Sequence, residues 1–290
     1  MIVDAHVHVF RPADASPRGV DALAPAERDA PVEDLLDVMG AAGVDRAVLV
    51  PLGPEDAYVA DVLRTDPRLF AAIAVADDVA LGRTPQDPVA ALRRRRERFA
   101  FHGVRTQWLG QPGRPLEDSP FLPVLRQMAR VGLILWTYPT RDQQPLLARL
   151  PALVPELRIV LNHLGFCPHA MTVDEHGRPA FADPFPPGSV DAVAALARHD
   201  AVHLMVSGQY ALSREAPPYR DLDEVVGRLS DAFGAERMLW ASDYPWTRDA
   251  PGYRTMVDLP AATFPQASEA ELAAIRGGTA AALFPHLRDD

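Results

Sequence analysis

Eight short apolar runs alternate with stretches of helical periodicity along this chain, and few folds accept that pattern. The runs are IVDAHVHV (2–9), RAVLVPL (46–52), LFAAIAVA (69–76), FHGVRTQW (101–108), VGLILWTY (131–138), LRIVLNHLG (157–165), VHLMVSG (202–208) and RMLWASDY (237–244). Between them lie amphipathic segments such as 31–43, 119–132 and 221–234; the first opens on Pro and closes on Gly, as helix termini favour. Near-continuous apolar strands imply a parallel sheet covered on both faces. Strand–helix alternation eight times over in 290 residues predicts a (β/α)8 TIM barrel, one domain spanning 1–290 with long βα loops. An open doubly wound sheet is the competing fold, but the first run is followed by proline-rich sequence rather than a Gly-rich phosphate loop. The connections 9–30 and 165–190, rich in Pro and Gly, exceed usual βα loop lengths and read as lids or site walls. Near the end, Ser268 and Glu271 form a capping-box pattern, and Gly277-Gly278 is expected to break the helix before a last turn.

Composition removes several function classes. A net charge of -10 argues against nucleic acid or an anionic membrane as partner, and the Arg93–Arg96 run reads as the solvated face of a helix. One cysteine, Cys167, allows no internal disulfide and fits a reducing compartment. The chain starts on a strand-like run without a signal-peptide pattern, and no stretch approaches the ~18 apolar residues of a membrane span. The expectation is a cytoplasmic protein, its oligomeric state left open, a homo-oligomer included. All 29 basic residues are arginine. Schiff-base chemistry on a lysine and a carboxylated-lysine metal bridge are therefore both closed.

Polar residues gather at the strand ends, where barrel sites lie. Asp4, His6 and His8 share one parity on the first strand and are expected to face the axis together, the two imidazoles about 7 Å apart along the backbone. His163 ends the sixth strand and Asp243 the eighth, on the same rim. Asn162 and Ser242 fall on the opposite parity and read as supports or loop pins. For Asp243 the competing reading is a helix N-cap. His102, His169, His176, His199 and His286 read as ordinary hydrogen-bonded histidines, and His203 as a strand residue of undecided role.

DAHVH, NHLG, RMLWASDYPW and the terminal IRGGTAAALF together resemble the amidohydrolase superfamily, over residues 2 to about 285. The likeness is to its second branch, which includes lactonases acting on pyrone-dicarboxylate and sugar lactones and aminocarboxymuconate-type decarboxylases. It implies His6, His8 and Asp243 as ligands of one divalent metal such as zinc, normally joined by a histidine from the fifth strand. Here that strand reads LILWTYP, with Trp136 and Tyr138 at the inward positions. The lactonase group shares this loss and is thought to work without a required metal. There Asp243 acts as general base, while His6, His8 and His163 polarise the carbonyl.

Arginine grips a carboxylate in bidentate fashion, and Arg105 on the fourth strand is the candidate for a carboxylated small-molecule substrate, with a structural ion pair as the level alternative. Arg214, Ser207 and Tyr210 beyond the seventh strand are further binding candidates. Trp136, Tyr138 and Trp246 are either an aromatic pocket wall or core. The leading expectation is a hydrolase of a small carboxylated lactone or cyclic ester with Asp243 as base. The rivals are a zinc-dependent decarboxylase or hydratase of an unsaturated acid, with His163 handling protons, and a metabolite-binding barrel without catalysis.

Overall fold

The computed structural model describes residues 1–288. Eight strands pair in parallel in the order β1 (Val3–Val7), β2 (Arg46–Leu49), β3 (Phe70–Val75), β4 (Gly103–Arg105), β5 (Ile134–Thr137), β6 (Ile159–Leu161), β9 (Val202–Val206) and β10 (Met238–Trp240). Closure between the last and the first runs through backbone bonds: His8 N donates to Tyr244 O at 2.7 Å and Asp243 N to His6 O at 3.1 Å. The eight apolar runs are these eight strands, and the fold is a (β/α)8 barrel. The helix Val32–Ala42 follows Pro31 and ends on Gly43 at φ 69, the left-handed stop that glycine accepts without steric cost.

Alternation along each strand sorts side chains into two layers. Val3, Ala5, Val48, Ile73, Trp136, Val160, Met205 and Leu239 fill the inside of the barrel, while Leu49, Leu135, Leu161 and Leu204 pack outward against the helices. β1 breaks the rule in its middle. Its register with β2 shifts between Asp4 and Val7, and Val7 packs in the outer layer although Val3 and Ala5 are inside. A bulge of this kind reverses parity along a strand. It sends Asp4 away from the axis while His6 and His8 turn into the mouth.

Two other expectations are corrected by packing. Gly277-Gly278 does not break the last helix: residues 269–283 run on through a wide turn at Ala274–Gly278. A Cβ at Gly277 would lie 2.6 Å from Met1 O, so the glycine is there to let the helix cross the start of β1. The arginine run is not wholly a solvated face either, because Arg95 folds inward to Asp56 and donates to Val75 O at 2.7 Å. The capping box forms as expected, Ser268 N donating to Glu271 Oε2 and Glu271 N to Ser268 Oγ.

The long connection 165–190 holds a short antiparallel hairpin, β7 (Met171–Val173) and β8 (Pro179–Phe181). No helix among the described residues is long and apolar enough to cross a membrane.

Candidate active site

β1 carries His6 and His8 to the C-terminal mouth, and the chain leaving β6 and β10 adds His163 and Asp243. His163 and Asp243 both adopt left-handed backbone, φ 49 and 63. Such a conformation costs a non-glycine residue about 1–2 kcal/mol, although His and Asp tolerate it better than most. The four side chains converge. The His6 and His8 rings lie 4.9 Å apart, His6 and His163 5.1 Å, and His8 Nε2 is 3.5 Å and His6 Nε2 3.9 Å from Asp243 Oδ1. His6, His8 and Asp243 are buried.

Asp4 braces this arrangement from behind. Its Oδ1 accepts from Ser242 N at 2.9 Å and its Oδ2 from Tyr253 Oη at 2.9 Å, tying the Asp243-bearing turn to β1 and to an outer helix. Burial raises its carboxyl to about 6, against the lowering effect of those hydrogen bonds. Ser242 pins the same turn, as its parity suggested: its Oγ accepts from Tyr244 N and its carbonyl from Thr247 Oγ1, each at 3.0 Å.

Hydrogen-bond partners assign the imidazole tautomers. Val50 O can only accept, so His8 Nδ1, at 2.7 Å, carries a proton, and its Nε2 lies 3.5 Å from Asp243 Oδ1. His6 is the reverse. The indole N–H of Trp136 can only donate, and it lies 3.0 Å from His6 Nδ1, which must therefore be bare. With its amide atoms assigned from their partners, Asn162 oxygen accepts the same N–H at 3.3 Å. Burial, then the nearby His8 and His163, lowers the His6 pKa well below 6.5, so the ring is neutral and its single proton sits on Nε2.

His6, His8 and Asp243 are the described residues whose ligand-type atoms, all within 4.8 Å of one another, could hold one metal ion. His8 and Asp243 offer lone pairs to such an ion. His6 offers an N–H, and freeing that nitrogen would set a proton on Nδ1 against the Trp136 N–H. The donor set therefore fits a metal at two positions and opposes it at the third.

Asp243 is the anion of the site. Burial alone would raise its pKa; His163, the adjacent His8 and His6 outweigh this and hold it well below the usual carboxylate range. Tyr210 Oη donates to its Oδ2 at 2.6 Å, and burial followed by the carboxylate raises the phenol far above 10, so Tyr210 keeps its proton. Burial also lowers His163, whose Nδ1 meets Ser207 Oγ at 2.8 Å. Two buried polar atoms here have no hydrogen-bond partner among the described residues, His6 Nε2 and Asp243 Oδ1. They face one another across 3.9 Å, and Asp243 lines a cavity of about 290 Å³ while His6 lies buried beneath it.

His8, His163, Asp243, Arg105, Tyr138 and Trp246 line that cavity. The Arg105 guanidinium has no hydrogen bond or ion pair among the described residues, against the structural ion-pair alternative. Other expected binding residues sit elsewhere. Trp136 is fully buried one layer below Tyr138, packed near Phe284, and acts on His6 instead of on the cavity. Ser207 and Tyr210 hold His163 and Asp243 from outside the wall. Arg214 is anchored outside the cavity, its backbone N–H to Asp221 and its Nη2 to Ala182 O at 3.3 Å. None of the discounted histidines lines the cavity, nor does His203. Two supports escaped sequence reasoning: Asp4 in its outward role, and Gly208. A Cβ at Gly208 would lie 2.9 Å from His163 Nδ1. Its neighbour in sequence, Ser207, was the only signal.

The sequence model of a family described as amidohydrolase matches residues 3–286. The chain belongs to this amidohydrolase family. The amidohydrolase is 30% identical to an L-fucono-1,5-lactonase from Burkholderia ambifaria over 85% of this chain and 81% of that one. Among solved structures it resembles a candidate 2-pyrone-4,6-dicarboxylic acid hydrolase from Pseudomonas putida, with TM-score 0.71, 25% identity and coverage of 99% and 98% of the two chains. An amidohydrolase from Burkholderia multivorans with bound zinc superposes with TM-score 0.75 at 22% identity, covering 98% of this chain and 99% of that one.

Proposed function

We propose that this amidohydrolase hydrolyses a small carboxylated lactone or related cyclic ester, with Asp243 as general base. The observation that carries the reading is the pair of unpartnered buried atoms, Asp243 Oδ1 and His6 Nε2–H, facing each other below a cavity that holds a free arginine. An acceptor opposite a donor suits a reaction in which water is deprotonated while a carbonyl oxygen gains charge.

With its one proton on Nδ1, His8 offers Nε2 beside Asp243 Oδ1, 3.5 Å away, and the two then accept the two hydrogens of one water. That water keeps a lone pair for attack on the lactone carbonyl. As its oxygen bonds to the carbon, its proton passes to Asp243, and the carbonyl oxygen becomes an oxyanion held by His6 Nε2–H and His163. Collapse breaks the ring C–O bond, and Asp243 returns the proton to the leaving oxygen. The product is a ring-opened hydroxy acid, or its keto form where the leaving oxygen is enolic. Arg105 holds the carboxylate that orients the ring. Every step runs on residues of this chain.

The relative that acts as an L-fucono-1,5-lactonase supports a lactone substrate. The test is a lactone panel followed by proton release, with Asp243→Asn alongside. The variant is expected to lose about 10²–10⁴ in kcat. Full activity of Asp243→Asn would overturn the role. Carbon dioxide release from an unsaturated acid, abolished by a chelator, would favour the decarboxylase reading that the metal-capable set His6, His8 and Asp243 supports.

A further inference from the structure

We infer that the substrate carries a single carboxylate on an otherwise apolar, ring-sized body, and is neither a dicarboxylate nor a sugar lactone. The inference rests on the lactonase reading and narrows it through the walls of the same cavity.

Charge sets the first limit. Arg105 is the cavity's one cationic side chain apart from the histidines, and its guanidinium has no partner among the described residues. The neighbouring arginines are committed. Arg28 lies over the Trp246 ring and donates to Leu23 O and Gly177 O. Arg178 pairs with Asp174 and donates to Ala250 O. Arg214 is turned to Ala182 O outside the wall. A second carboxylate entering the cavity would meet Asp21 at the rim or Asp243 at the floor, and no free cation.

The walls set the second limit. Beyond the catalytic residues, the surfaces facing a ligand are Leu52, Phe166, Met171, Phe181, Leu212 and Trp246. Among non-catalytic side chains, only Arg105, Tyr138, Asp21 and the indole N–H of Trp246 bring a polar group. Asp21 Oδ1 is already taken by Leu23 N and Ala24 N. A polyhydroxylated ring would bury several hydroxyls against carbon, each losing its water without a partner.

The mouth supplies an independent observation. Among the described residues five large hydrophobic side chains are exposed, and two of them, Val20 at 54% and Met171 at 44%, stand at the cavity, one from each long loop. Apolar side chains left in water at a binding mouth gain by covering an apolar ligand.

The experiment compares three lactones by kcat/KM: an isocoumarin bearing one carboxylate, 2-pyrone-4,6-dicarboxylate and L-fucono-1,5-lactone. The isocoumarin is expected to lead by about tenfold or more. Arg105→Met should raise its KM with a smaller change in kcat, and should leave its neutral methyl ester nearly as good a substrate as before. Preference for the dicarboxylate or the sugar lactone would overturn the inference. Calorimetry with the matching unreactive lactam, in its mono- and dicarboxylated forms, runs in parallel. If no lactone is turned over, the lactonase reading falls, while tighter binding of the monocarboxylate still upholds this selectivity and tighter binding of the dicarboxylate still refutes it.

Discussion

Trp136 shows how one atom can decide what a neighbouring side chain is able to do. Its N–H, 3.0 Å from His6 Nδ1, fixes the proton of His6 on the nitrogen that faces Asp243. Replacing it with phenylalanine keeps an aromatic ring in the core and deletes the donor. Trp136→Phe is expected to lower kcat about tenfold, since a hydrogen bond that sets a tautomer contributes roughly 1 kcal/mol or more. It should also increase zinc uptake, because His6 Nε2 is then free to lose its proton to Nδ1. Elemental analysis beside steady-state kinetics checks both parts. Stoichiometric zinc already present in the unchanged protein, with activity abolished by a chelator, would show that the indole does not hold the tautomer described. Which residue types stand at the site was legible at this scale. Which nitrogen of each imidazole carries a proton was not, since that depends on Val50 O and Trp136, distant in the chain.

Among elements, the segment after β9 makes room for the one after β6. Gly208, at φ 72, lies so close to His163 that an added methyl would stand 2.9–3.0 Å from its ring. Gly208→Ala is expected to destabilise the protein by about 1–2 kcal/mol through backbone strain and to displace His163. A drop in kcat larger than the change in melting temperature explains would be its signature, and a fully active variant would show that His163 need not hold its position. The strands themselves were plain from apolar alternation. Asp4 was not, because the bulge that turns it outward comes from the pairing of β1 with β2 and from closure against β10. The hairpin β7–β8 went unread for another reason: its strands lie partly open to solvent and carry no continuous apolar run of the kind that marks the barrel strands.

For the whole molecule, acid should be the weak side. Burial lowers His102 and His203 from 6.5 to about 4 in the folded chain, with the stacked His286 adding to the effect at His102. The unfolded chain takes up these protons below pH 6.5 and the folded one only near pH 4, so stability falls as pH drops between those values. Asp4 works in the opposite direction, binding a proton near pH 6 when folded and at 3.8 when unfolded. The histidines outnumber it. Each unit of depression is linked to about 1.4 kcal/mol, less for groups partly open to solvent. Melting curves should therefore show a loss of a few kcal/mol from pH 7 to 4, and a flat profile would contradict the burial of these rings.

Taken alone, the order of residues determined the eightfold alternation, the strands that end in histidine or aspartate, and the likeness to one family, because those properties repeat over a few residues. Tertiary structure decided how deep each side chain sits and what it faces. Trp136 lies under His6 instead of lining the cavity, Asp4 points outward, and the Arg105 guanidinium at the cavity has no partner among the described residues. Barrel closure sets register and depth through contacts between residues far apart in the chain, and no local period records them.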